Sequence, residues 1–431
     1  MTSGHVTGPQ DERLVRQQVL VLYLATSSLQ SRVVSWSMYD GASNDVTDTG
    51  ENRHAPYETG LDALRDGWRL FQASPLLPAY PGTEYLTSHH KFEFFFERLA
   101  AAPSGGNVRA REPQQNSAAI PGPVGQSTAA LATDSEGVNG PAGRDHLLSS
   151  EQVAEFVANG FLLFEGLVPE EINGVAGEEL RDEHSALRQR YPHGLALNEC
   201  FREFPGVREM LSLPTVRGLL QSLVGPQPVY DHHAVHARKP DEPSQDLHAD
   251  AIIDLRAAFD IQLMYYPEAV APDAGGTLLI PGSHLRRINE TDIGRYQNFV
   301  GQVPLSCPEG TVVVLHHGLW HCGRRNRTDR IRYMFKLRLG AQVPQVRLWD
   351  TSDLEDAHVL RRVERVLSTS EPWYEAATAR LEQVQRAALW RKLSGNRDFQ
   401  VEYWLGRLEN QASPRLVDLM PGRAADLASR Q

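Results

Sequence analysis

The chain has 431 residues, 41% hydrophobic and 23% charged, enough apolar material for about two or three packed domains. Its 43 Lys and Arg face 54 Asp and Glu, a formal net charge of −11. That balance excludes a protein built to coat nucleic acid or an anionic membrane, because phosphate backbones demand a basic face. Three cysteines without CxxC spacing (Cys200, Cys307 and Cys322) exclude a disulfide framework and a cysteine-based zinc site and fit a reducing compartment. The start lacks a basic segment followed by an apolar one, and no apolar run there approaches the roughly 20 residues of a membrane span, so the expected location is cytoplasmic.

Residues 1–100 read as a small α/β module of unassigned role. Leu14 to Ala25 is predicted as a helix, and Val33 to Tyr39 as a strand ending at the turn pair Asp40-Gly41. Thr59 is positioned to cap a helix with Leu61, Leu64, Trp68 and Phe71 on one face. The alternation of Phe92, Phe94 and Phe96 predicts a further strand. His89 and His90, adjacent on an extended chain, point to opposite faces and do not form a metal pair. Residues 101–145 contain no aromatic side chain and are rich in Gly, Pro, Ala, Ser and Gln, the composition of a flexible linker.

Beyond it, Ser149 and Gln152 form a capping-box pattern opening a helix to about Ala158, Gly160 ends that helix, and Phe161 to Phe164 follows as a buried strand. A helix is expected from about Pro169 to about Arg190. Val229 to Leu339 then carries short strands between Pro, Gly and Asp turns, the pattern of a barrel or sandwich. From Leu354 the signal returns to helix, with Leu381, Val384, Leu389 and Trp390 in one segment and Val401, Trp404, Leu405 and Leu408 in another. The domain boundaries are 146–345 for the β-rich unit and 346–431 for a helical extension.

Of sixteen histidines, His248 alone is followed two positions later by a carboxylate, Asp250. Residues two apart on an extended chain share a face, and an imidazole beside a carboxylate suits Fe(II) or another divalent ion. A third ligand from a distant segment would complete a 2-His-1-carboxylate triad with open positions. The run Val312 to Leu315 reads as a buried strand. It leads to His316, His317 and His321, rival candidates for that ligand. Arg330 and Arg332, farther on, are candidates to hold a carboxylate bidentately.

These residues resemble the phytanoyl-CoA dioxygenase family of iron(II)/2-oxoglutarate oxygenases over roughly Leu148 to Leu339. The motifs that carry the resemblance are Asn159-Gly160-Phe161-Leu162, His248-x-Asp250, Gly275-Gly276-Thr277, Pro281-Gly282-Ser283-His284, the distal His321, and the spacer Asn326-x-Thr328. The chain departs from the family's pattern at Gly310-Thr311, where Gly-Asp is common, and at Gly323, where a Ser can help hold 2-oxoglutarate. The resemblance implies a double-stranded β-helix (jelly-roll) core. It also implies Fe(II) on His248, Asp250 and His321, and 2-oxoglutarate on Arg332, eleven residues past the distal His, with Arg330 as its rival. The expected activity is oxidation, usually hydroxylation, of a small molecule such as a natural-product intermediate, with O2 consumed and succinate and CO2 released. No nucleic-acid or membrane partner is expected, and the oligomeric state is not assigned. Two alternatives from other classes are a catalytically silent jelly-roll that binds a metabolite or partner, and a cupin-type hydrolase or isomerase using a non-redox metal. Cys322 and His284 are read as packing residues, and His236 as a possible pocket wall. Arg286, Arg287, Arg324, Arg325 and Arg327 are read as a solvated cluster flanking the barrel mouth.

Overall fold

The computed structural model describes residues 15–43, 48–81, 86–101, 141–182, 204–251, 258–289 and 291–401. The chain starts with β1 (Val15–Leu24) and β2 (Val33–Asp40), followed by a short helix α1 (Gly60–Arg65), then β3 (Arg69–Ala73) and β4 (Glu93–Ala101). The helix expected over 14–25 is therefore a strand. The reason lies in its position: β1 is paired on both edges, to β2 and to β4. Both of its faces are also covered. Leu20, Leu22 and Leu24 pack with Trp36, Trp68 and Phe96, whereas Val21 and Tyr23 pack with Val34, Phe299, Trp320 and Trp373. A strand buried on both faces reads as a continuous apolar run, which periodicity cannot separate from a buried helix.

Thr59 does cap α1, its side chain accepting from the Asp62 backbone, but the helix stops at Arg65. Gly67, at φ +87°, turns the chain, and Trp68 and the strand β3 follow. The described residues of the first hundred thus form four strands and one short helix rather than an alternation of helix and strand. Most of the linker, 102–140, lies outside the described residues.

The next elements follow the sequence closely. The capping box of Ser149 and Gln152 opens α2 (Ser150–Asn159), and Gly160 closes it at φ +81°. β5 (Phe161–Phe164) and α3 (Glu170–Arg181, with Pro169 at its N-cap position) come next; the helix, expected to about Arg190, ends at Arg181, and residues 183–203 lie outside the described residues. After α4 (Pro205–Ser212) and α5 (Pro214–Val224) the β-rich unit begins. Its strands are β6 (Val229–Arg238), β7 (Ile261–Tyr266), β8 (Thr277–Leu279), β9 (Asn298–Phe299), β10 (Val303–Pro304), β11 (Thr311–His316), β12 (His321–Gly323) and β13 (Arg332–Gly340). One sheet has the order β5-β11-β7-β13-β6 and a second β10-β8-β12. The third, β3-β4-β1-β2-β9, joins the N-terminal strands to the rest, with Ser35 opposite Phe299.

Alternation along the five-stranded sheet with β13 decides what faces where. Val312 and Val314 of β11, Leu263 and Tyr265 of β7, and Phe335 and Leu337 of β13 point to the helices α2 to α5 in one core. Their neighbours Val313, Met264 and Met334 face a second core with Leu279 of the three-stranded sheet. On that inner face β13 presents Arg332, Met334 and Lys336 in succession, so the strand carries charge into the space between the sheets.

The C-terminal segment supplies α6 (Ala357–Ser368) and α7 (Ala379–Ser394), the latter containing the expected Leu381, Val384, Leu389 and Trp390. The expected helix around Trp404 lies outside the described residues. The architecture is mainly β with flanking helices. No helix among the described residues is long and apolar enough to cross a membrane.

Candidate metal centre

His248 and His321, far apart in sequence, are brought together by a reciprocal backbone bridge. The His248 N–H donates to the His321 carbonyl (3.1 Å) and the His321 N–H to the His248 carbonyl (2.8 Å). Directly opposed antiparallel residues send their side chains to the same side, and Asp250, two residues on, shares it. Leu247 and Ala249 take the opposite side, buried with Trp320 and Cys322. The Pro281-Gly282-Ser283-His284 turn braces this arrangement: the Trp320 N–H donates to Ser283 Oγ (2.8 Å), which donates to the Ile280 carbonyl (2.7 Å).

The ligand-type atoms of His248, Asp250 and His321 lie within 4.8 Å of one another. His321 Nε2 is 3.5 Å from one Asp250 oxygen and His248 Nε2 is 3.8 Å from the other. Each imidazole is oriented from behind: His248 Nδ1 is 2.9 Å from the Asp246 carbonyl and His321 Nδ1 2.9 Å from the Leu319 carbonyl. A carbonyl accepts only, so both Nδ1 atoms carry the proton and both Nε2 lone pairs face Asp250, the tautomer a metal ligand needs. Burial pushes His321 down to about 3, so its imidazole is neutral. Burial raises the Asp250 carboxyl, but His321, Lys336 and His248 outweigh it and hold the group well below the usual carboxylate range. Two imidazoles and one carboxylate, converging beside an open cavity, are a donor set that fits a divalent metal with open positions.

Two residues behind Asp250 were not visible in the sequence. Gln262 Nε2 and Lys336 Nζ both donate to Asp250 Oδ2, the latter at 2.7 Å. Gln262 also contacts His317 Nδ1 at 2.8 Å, which places His317 behind the site with its imidazole held down to about 3 by burial. His316 packs its ring against Phe156, Phe259 and His284. Neither rival joins the cluster. Cys322 is fully buried, its thiol pushed up to about 12 by burial, as a packing residue should be. Cys200 lies outside the described residues.

A cavity of about 140 Å³ opens beside the histidines, comparable to an engineered void of about 150 Å³ that accepts benzene. Its walls include His236, Arg238, Met264, Thr277, Arg332 and Lys336. His236 thus does line it, neutral because burial drives it down to about 3. Arg332 is buried, donates to the Gly275 carbonyl (2.8 Å) and lies over the Tyr266 ring (5.8 Å). Its Nε and one terminal nitrogen have no hydrogen-bond partner among the described residues. Such orphaned donors on a buried cation are costly unless a ligand satisfies them. Arg330 is exposed and does not line the cavity. Asn326 shapes the turn between β12 and β13, donating to the carbonyls of Arg238 and Arg330 and accepting from Thr328.

The arginine cluster expected at a solvated mouth divides. Arg286 is buried between Glu375 and Glu382 over the Trp373 ring, because α7 and the segment before it bring two carboxylates from far along the chain. Arg325 and Arg327 tie the rim to Asp48 and Glu51 of the N-terminal segment.

Comparison with known proteins gives the same domain. A 29% identical stretch of 126 residues is shared with "Dioxygenase af480" of Aspergillus fumigatus, covering 28% of this chain and 40% of that relative. Among solved structures, the α-ketoglutarate-dependent carbocyclase SnoK from nogalamycin biosynthesis is 16% identical at a TM-score of 0.36, covering 52% of this chain and 94% of its own. Iron-bound HygX from Streptomyces hygroscopicus is 18% identical at a TM-score of 0.36, covering 49% and 94%. The sequence model of the Phytanoyl-CoA dioxygenase (PhyH) family matches residues 156–334, which include His248, Asp250, His321 and Arg332. Residues 156–334 thus carry a match to the phytanoyl-CoA dioxygenase family.

Proposed function

We propose that the protein is an iron(II)- and 2-oxoglutarate-dependent oxygenase with a double-stranded β-helix core. In it, His248, Asp250 and His321 hold Fe(II), and Arg332 pairs with the distal carboxylate of 2-oxoglutarate. The observation that carries this reading is the buried Arg332, which lines the cavity that also reaches His248 and His321 and has two donors unsatisfied among the described residues. A metal-dependent hydrolase would have no use for that cation. When bound, Fe(II) with 2-oxoglutarate and O2 supplies the oxidising power, releasing succinate and CO2 as a substrate C–H bond is oxidised.

The chain's own residues do the positioning. The carbonyls of Asp246 and Leu319 fix the two imidazoles; Gln262 and Lys336 hold Oδ2 of Asp250, which would leave Oδ1 available to a metal. Met264, Met334 and Thr277 wall the cavity against water. The sequence resemblance supports a small-molecule substrate, and the class we favour is a natural-product intermediate. Cysteine usage supports a cytoplasmic setting, with Cys307 and Cys322 both free.

The test is succinate release with Fe(II), 2-oxoglutarate and O2 across a panel of small acids and pathway intermediates. Release should require iron and stop with a chelator. Full turnover with zinc as the sole metal would refute the proposal.

A further inference from the structure

Arg238 stands directly opposite Arg332 in the β6–β13 register, and both line the cavity. They are 6% and 8% exposed. Like charges facing each other across a strand pair destabilise the sheet, the more so when buried. Among the described residues one carboxylate lies against them: Glu242 takes one terminal nitrogen of Arg238 at 2.7 Å, and its side chain is 38% exposed. Arg332 makes no ion pair among the described residues. The pair is therefore one negative charge short there, and two nitrogens of Arg332 are buried without a partner.

The seating of Arg238 is specific. Its other terminal nitrogen donates to the Gly323 carbonyl (2.7 Å), and its backbone carbonyl accepts from Asn326 Nδ2 (2.9 Å). A Cβ built on Gly323 would collide with that guanidinium and lie 3.0 Å from Gln245 Oε1, which accepts from the Gly323 N–H at 2.9 Å. The bare position two residues past His321 is thus filled by an arginine from the neighbouring strand. Arg238 occupies the space that a side chain at 323 would take.

Resting on the co-substrate reading above, we propose that Arg238 is a second anchor for the distal carboxylate of 2-oxoglutarate, reaching it from β6 through the space left by Gly323. With the ligand bound, two guanidiniums face two carboxylates, Glu242 and the ligand's own, and the charge deficit closes.

Calorimetric titration of the full chain loaded with Mn(II), in the absence of O2, tests this with two probes. One is 2-oxoglutarate; the other is 2-oxopentanoate, which keeps the chelating 2-oxo acid and lacks the distal carboxylate. Arg238→Leu should bind 2-oxoglutarate about tenfold more weakly, the range of a charge-assisted hydrogen bond, and 2-oxopentanoate as the wild type does. Gly323→Ala keeps the charge, and its added methyl meets the flexible end of Arg238, so the fold is spared while the guanidinium is displaced. It should also weaken 2-oxoglutarate selectively, and it carries the test if Arg238→Leu does not fold. Unchanged 2-oxoglutarate affinity in both variants overturns the proposal, as do equal losses for both acids. If wild type and Arg332→Leu alike fail to distinguish the two acids, the co-substrate reading itself falls, and this inference with it.

Discussion

Around Arg286, buried cations are met by the protein's own carboxylates. The guanidinium donates to Glu382 at 2.7 Å, lies 3.6 Å from Glu375 and stacks on Trp373, while Arg386 nearby pairs with Glu371 at 2.8 Å. Around Arg332, equally buried, the cation has a carbonyl and an aromatic ring but no carboxylate among the described residues, and two of its donors are empty. Both regions desolvate a guanidinium at a cost that has to be offset. The first offsets it with the protein's own acids and ties α7 and the segment before it to the turn that braces His321. The second leaves the offset to a ligand. Burial alone therefore does not mark a functional cation; the missing counter-charge does.

Five changes probe that contrast, taken from the largest expected effect. Asp250→Ala removes the one anionic metal ligand and should weaken metal binding by more than about a hundredfold, since losing a mere supporting partner of a ligand costs 10–100-fold. A metal titration reads it directly. Arg286→Met leaves Glu375 and Glu382 buried without their cation and should cost about 3–5 kcal/mol of folding stability in a denaturant titration. The protein that remains folded should bind 2-oxoglutarate normally. Arg332→Leu should lose about thirtyfold or more in 2-oxoglutarate affinity, as for a truncated buried charge pair, with metal binding intact. Arg330→Leu, at an exposed site, should change stability and affinity by no more than about 0.5 kcal/mol. If the two arginines exchange these effects, the closed-versus-open contrast has been drawn at the wrong residue. Between them falls Lys336→Met, which frees Asp250 Oδ2 on one side and should weaken metal binding about tenfold.

What the sequence disclosed depended on how local the signal was. His248-x-Asp250, the turn at His284 and the spacing from His321 to Arg332 are short-range patterns, and the structure brings His248, His321 and Arg332 to one cavity with Asp250 beside the two histidines. The capping box at Ser149 and the stop at Gly160 were legible for the same reason. β1 was misread because its two buried faces erase the alternation that marks a strand. Arg286 was misread as solvated because its partners lie some ninety residues further on, on α7 and just before it. Gln262, Lys336 and Arg238 had no motif at all; they act through Asp250, or opposite Arg332, only once β6, β7 and β13 are side by side. The N-terminal strands likewise looked separable. In the structure Val21, Tyr23 and Val34 share a core with Trp320, the neighbour of His321, a contact no local pattern announces.

The central claim is that the open cavity is completed by a metal and a dicarboxylate together. The most direct measurement is titration of 2-oxoglutarate into the protein without O2, with and without Fe(II). The account predicts tight binding only when the metal is present, because His248, Asp250 and His321 provide the chelation site and Arg332 the far anchor. Equal binding with and without the metal, or none with it, would contradict the account.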